Sequence, residues 1–177
     1  TGVTTAVRDA RLDHVVRCGA VWLRTDAYWS ALQTGASTYA WSGLDGVVDA
    51  ARARGLRVIL AAHTTPAWAR PAGQADTFGP ASVTEQDRFA AFCGVLAARY
   101  AGRVAAIEVW NEPNLDQFWS PTPSPASYGS LLTKAAAAIR VAAPGVAVVA
   151  GGTGGVGTGP DIDPLAWYES LCNAVTI

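Results

Sequence analysis

Four short apolar runs, each followed by a helical stretch, recur along the chain and limit its fold more than any other feature. They start near positions 20, 56, 104 and 146, at separations of 36, 48 and 42 residues. Such a period fits βα units, in which parallel strands are joined by right-handed helical crossovers. Thr4–Cys18 reads as a helix ending at Gly19, with a strand over Ala20–Asp26 behind it. Leu44, Val47, Val48 and Ala51 then recur at helical spacing, and Gly55 supplies the stop. Leu56–Ala62 is almost continuously apolar, as expected of a strand covered on both faces. Thr84 is the expected cap of a helix carrying Phe89, Phe92, Leu96 and Tyr100, and Gly102 ends it. Val104–Trp110 is the third strand. Ser124 and Pro125 open a helix with Leu131, Leu132, Ala135 and Ile139 inward, stopped at Pro144-Gly145. Val146–Ala150 makes a fourth strand, and Pro164–Ala174 a last helix. A doubly wound α/β sheet and part of a (β/α)8 barrel both fit. A complete barrel takes about 250 residues, so four units here would be a piece of one.

Charge and composition remove several function classes. The 13 basic and 14 acidic residues leave a net charge of −1, no electrostatic footprint for nucleic acid or an anionic membrane. Half of the residues are hydrophobic and 15% are charged, which excludes a disordered tail. No apolar run approaches the roughly 18 residues of a membrane-spanning helix, and none near Thr1 follows a basic segment as in a signal peptide. The chain contains no Met, so its ends are expected not to be those of the natural protein. Cys18, Cys93 and Cys172 form no CxxC pair and read as three ordinary thiols, or as one thiol and one disulfide. No metal, nucleotide or flavin site is implied. The run Gly151–Gly159 lacks the Gly-Lys-Ser/Thr ending of a phosphate loop and reads as a flexible strand-to-helix connection.

The chemistry is concentrated in Ile107-Glu108-Val109-Trp110-Asn111-Glu112-Pro113-Asn114. This places a carboxylate and an amide at the carboxyl end of a parallel strand, where α/β folds build active sites. Desolvation there would raise the pKa of Glu112 and suit it to general-acid work. Asn111 would offer a donor and an acceptor to a hydroxyl. Taken alone, an Asn-Glu pair is more commonly a solvated loop carboxylate beside a turn-capping amide.

The wider stretch resembles the acid/base strand of the retaining (β/α)8 glycoside hydrolases of clan A, especially families 39 and 5. Members carry Asn-Glu-Pro at the end of strand four. Gly19–Asp26 with Trp29 is similar to the clan's second strand, and Gly55–Leu60 with Thr65–Trp68 to its third strand and loop. Tyr128–Ala142 and the following strand resemble its fourth helix and fifth strand. The resemblance implies a partial barrel over residues 1–177, holding strands two to five with their helices. It implies Glu112 as proton donor and later base, and Asn111 as partner of the sugar 2-hydroxyl. Arg24, at the mouth of its strand, would orient the nucleophile, unless it only pairs with Asp26. His63 would line the pocket, unless it is a hydrogen-bonded structural residue. Trp68 and Trp119, in loops after strand ends, would present aromatic faces to sugar rings, while Trp22 and Trp41 serve packing. A carbohydrate is the expected partner, with further domains or a larger assembly beside it, in an extracellular or virion-associated setting.

Half of the expected catalytic pair is missing. A retaining hydrolase needs two carboxylates about 5–5.5 Å apart, an inverting one about 6.5–9.5 Å. In the clan the nucleophile is a Glu at the end of strand seven. The only Glu residues are Glu85, Glu108, Glu112 and Glu169. Glu108 shares a face with Glu112, but four extended residues would separate them by about 13 Å. The nucleophile is therefore expected outside these 177 residues. Two other readings stand beside the hydrolase. One is a non-catalytic carbohydrate-binding or structural module on the same scaffold. The other is a small doubly wound domain with an unrelated ligand.

Overall fold

The computed structural model describes residues 4–157 and 159–175. In chain order the elements are α1 (Thr5–Arg17), β1 (Trp22–Tyr28), α2 (Trp29–Leu32), β2 (Gln33–Gly35), β3 (Thr38–Tyr39) and α3 (Ser42–Ala53). There follow β4 (Arg57–His63), α4 (Val83–Tyr100), β5 (Ala106–Val109), α5 (Pro125–Ala142), β6 (Ala147–Ala150) and α6 (Pro164–Ala174). Strands β1, β4, β5 and β6 form one parallel sheet in that order, the four strands the apolar runs mark. Strands β2 and β3 make a small antiparallel hairpin that the sequence did not announce.

Side-chain alternation decides what each strand does. Val58, Leu60 and Ala62 of β4 and Ile107 and Val109 of β5 join a core with Phe89, Phe92, Leu96, Leu131 and Ile139 of the helices. The intervening residues point to the other face. There the register aligns Arg24 with Ile59 and Ala106, and Asp26 with Ala61 and Glu108. That second face carries the polar side chains.

Local signals end the elements as the sequence suggests, with one correction. Gly19 and Gly55 follow α1 and α3 with φ of 79° and 77°, a region glycine enters without a Cβ penalty. Ser124 accepts from the backbone of Ser127 at the start of α5. The cap of α4, however, is Ser82 rather than Thr84. Ser82 Oγ accepts from the Glu85 N–H, and the Glu85 carboxylate accepts from the Ser82 N–H, a reciprocal capping box. Thr84 falls inside the first turn. All three cysteines are free thiols, and burial pushes that of Cys93 up. Among the described residues, no helix is long and apolar enough to cross a membrane.

Candidate active site

The candidate groove lies at the carboxyl ends of β5 and β6, reached by Arg24 from the third position of β1, with an open volume of about 480 Å³. Arg24, Glu108, Asn111, Glu112, Gly152 and Tyr168 line it. A roomier cavity of about 600 Å³ lies between α1, β1 and α3, but Leu12, Val15, Leu23 and Val47 line it beside Arg8 and Arg11, and no acid does.

Arg24 organises the polar face. Its Nε and Nη2 donate to the two Glu108 oxygens at 2.6 and 2.9 Å, and Nη2 also donates to Asn111 Oδ1 at 2.8 Å. The fork matches a carboxylate bidentately, as guanidinium geometry favours. Asp26 stands farther off, at 4.0 Å, so the Arg24–Asp26 pair weighed from sequence is secondary. The bond to Glu108 holds Arg24 further above its ordinary pKa. Glu108 Oε1 also accepts the Gly152 N–H at 2.9 Å. With three donors and 4% exposure, Glu108 is a buried and satisfied counter-ion. No sequence pattern tied it to Arg24, 84 residues away.

Glu112 reaches the groove because the backbone leaves the strand. Trp110 and Glu112 have φ of 69° and 48°, the left-handed region that bulky residues rarely enter. Each such residue costs on the order of 1–3 kcal/mol and persists only where its surroundings hold it. The Trp110 ring is buried against Phe89 and Trp119, at centroid distances of 5.5 and 6.3 Å. The Trp110 backbone N–H donates to Ala62 O, its ring Nε1 donates to Phe118 O at 3.3 Å, and the Glu112 N–H donates to Gly152 O at 2.8 Å. Because β5 ends at Val109, the straight-strand separation of Glu108 and Glu112 does not apply. Both side chains line one groove.

The glycine run after β6 departs from expectation as well. Far from being a flexible connection, Gly151–Gly154 is bonded to the turn around Glu112. A Cβ on Gly151 would sit 2.9 Å from the carbonyl oxygens of Val109 and Trp110. Tyr128 Oη donates to Val109 O at 2.8 Å and accepts the Gly151 N–H, locking the two strand ends together. Close approach requires glycine at Gly151.

The remaining candidates divide. His63 ends β4 with Nε2 3.3 Å from Asp26 Oδ1, without hydrogen-bond alignment, and Tyr28 donates to the other Asp26 oxygen at 2.8 Å. Burial, partly opposed by Asp26, lowers the His63 pKa. In the stretch below the ordinary histidine value of 6.5 and above that lowered value, the unfolded chain binds more protons than the folded one. Stability contributed by neutral His63 is therefore complete above 6.5 and lost as pH falls through that window. His63→Asn is expected to flatten this part of a urea-midpoint profile against pH, and an unchanged slope would contradict the assignment.

Trp119 and Trp68 do not line this groove. Trp119 is 1% exposed, its ring packed on Gly79 between Trp110 and Tyr128. Trp68 packs edge-on against Trp29 at 5.8 Å and donates Nε1 to Gln33 O at 3.0 Å, tying the hairpin to the core. Large apolar rings beside a strand end were drawn into the core because burying them is worth more than exposing them. Trp22, expected to pack, is 39% exposed beneath the Arg57 guanidinium. The aromatic that does line the groove is Tyr168 of α6, which the sequence reading passed over.

Among the described residues, no cluster of three or more His, Cys, Asp or Glu side chains could hold a metal ion.

The sequence model of cellulase, glycosyl hydrolase family 5, matches residues 4–174. No curated protein is significantly similar to the chain. Among solved structures, one similar fold is a family 39 glycoside hydrolase from the gut symbiont Bacteroides cellulosilyticus WH2. It is 21% identical with a TM-score of 0.70, over 82% of this chain and 29% of that one. GH5_18 from Streptomyces cattleya, solved with GlcNAc, is 24% identical with a TM-score of 0.68, over 83% and 39%. Endoglucanase Cel5A from the hyperthermophilic Thermotoga maritima is 21% identical with a TM-score of 0.60, over 82% and 44%. The chain thus spans less than half the length of each, and its four βα units are part of a (β/α)8 barrel.

Proposed function

The chain belongs to glycosyl hydrolase family 5, the cellulase family, and from that premise we propose that the natural protein carrying it hydrolyses a β-linked glycoside with retention of configuration. The observation that carries the reading is the left-handed turn at Trp110–Glu112, which delivers Glu112 into a groove at the strand ends beside Asn111. Glu112 protonates the departing glycosidic oxygen and then, as carboxylate, takes a proton from the water that releases the sugar. Asn111 has its Oδ1 occupied by Arg24. Its Nδ2 is thereby left to donate to the sugar 2-hydroxyl, a contact that strengthens as the transition state forms.

The nucleophile in this proposal comes from outside the 177 residues. Glu108 is saturated by Arg24 and Gly152, Glu85 closes the cap of α4, and Glu169 lies on α6. Arg24, fixed by Glu108, presents its remaining positive edge toward the groove and would steady that second carboxylate.

Retention has a direct test. When an aryl β-glycoside is cleaved by the natural protein, proton NMR taken before mutarotation is expected to show the β-anomer first. First appearance of the α-anomer would refute the double-displacement mechanism.

A further inference from the structure

We infer that Asn114 is a positioning residue, which aims the Glu112 carboxyl by fixing Gly154 behind it; this rests on the acid/base reading of Glu112. Asn114 is completely buried, two residues past Glu112. Its Nδ2 donates to Gly154 O and to Ile162 O, both at 2.9 Å, and its Oδ1 accepts the Gly154 N–H at 2.9 Å. The amide orientation is unambiguous, since carbonyl oxygens can only accept and an N–H can only donate. Both donors of the side chain are used, and the backbone of Gly154 is gripped on both its polar groups. The Asn114 backbone C=O accepts the Ile162 N–H as well, so the segment before α6 is fastened at the same point.

What the grip places is a bare Cα. A Cβ built on Gly154 would lie 3.1 Å from Glu112 Cδ and 2.5 Å from Leu115 Cδ1. Gly154 does not have a positive φ, so space rather than backbone conformation demands glycine there. The Glu112 carboxyl therefore rests against a wall whose position Asn114 sets. The other side of the turn is held by the Glu112 N–H on Gly152 O. A carboxyl that delivers a proton must keep its distance to the leaving oxygen, and a displacement of about 1 Å can cost about a hundredfold in rate.

The test uses two variants in the natural full-length protein. Gly154→Ala leaves Asn114 in place and pushes on the carboxyl; Asn114→Ala releases the wall. Each is assayed on aryl β-glycosides with a poor and a very good leaving group, alongside Glu112→Gln. Misaiming an acid harms only the substrate that needs protonation. Both variants are thus expected to lose at least about tenfold more kcat/KM on the poor leaving group than on the good one. A merely structural role for Asn114 would lower the two equally. If Glu112→Gln discriminates between the substrates and Gly154→Ala does not, the positioning role is overturned and the acid role stands. If Glu112→Gln itself does not discriminate, the acid assignment falls, and the positioning role with it. Should Asn114→Ala fail to fold, Gly154→Ala alone decides.

Discussion

Replacing Glu112 with Gln is expected to slow hydrolysis of an unactivated β-glycoside by about 10²–10⁴-fold, the usual contribution of a positioned general acid. The amide is nearly isosteric, so the turn at Trp110–Glu112 and its bond to Gly152 O persist. What is lost is the proton. The first step on a substrate with a very good leaving group should fall far less, because that departure needs little protonation. The second step also loses its base, so the glycosyl-enzyme intermediate should accumulate as a burst. Measuring burst and steady-state rates on both substrate types checks the two roles separately. Equal losses throughout would mean that Glu112 serves binding or structure instead.

Trp119→Ala is expected to cost about 3–5 kcal/mol of stability, the range for truncating a fully buried aromatic. In a barrel of about 250 residues that corresponds to roughly 6–20 °C in Tm. The ring fills the space over Gly79 and contacts Trp110 at 6.3 Å and Tyr128 at 5.8 Å. Trp110 and Tyr128 in turn hold the left-handed turn and the β5–β6 strand ends. Calorimetry should therefore show the loss, and the groove should loosen with it. Sugar affinity lost at unchanged Tm would instead put Trp119 in the binding surface, where its loop position first suggested it.

The parallel sheet was legible because its signals are local. Continuous apolar strands, helical spacing and glycine stops each act within a few residues. Even the misplaced cap was readable, since Ser82 and Glu85 have the Ser-x-x-Glu spacing of a capping box, whereas Thr84 has the shorter Asp87 at that spacing. The hairpin was not, because Gln33–Tyr39 is polar, short and carries a bulge. The site was half legible. Asn-Glu-Pro at a strand end marks Glu112 and Asn111. The partner of Glu108 lies 84 residues away, and no local pattern encodes it. The 13 Å spacing rested on a straight strand, whereas the strand ends at Val109 and the backbone turns left-handed at Trp110 and Glu112. Gly151 and Gly154 looked like freedom in the sequence, whereas in space they are close approach.

The central claim, that Glu112 is the acid/base of a retaining glycosidase, is tested most directly by adding azide to Glu112→Ala in the natural protein. With an activated aryl β-glycoside, the glycosyl-enzyme intermediate forms but lacks a base to activate water, and azide needs none. The account predicts a rate restored by azide and a β-glycosyl azide, the product of two displacements. An α-glycosyl azide would make Glu112 the nucleophile, and no azide product would contradict a catalytic role at that position.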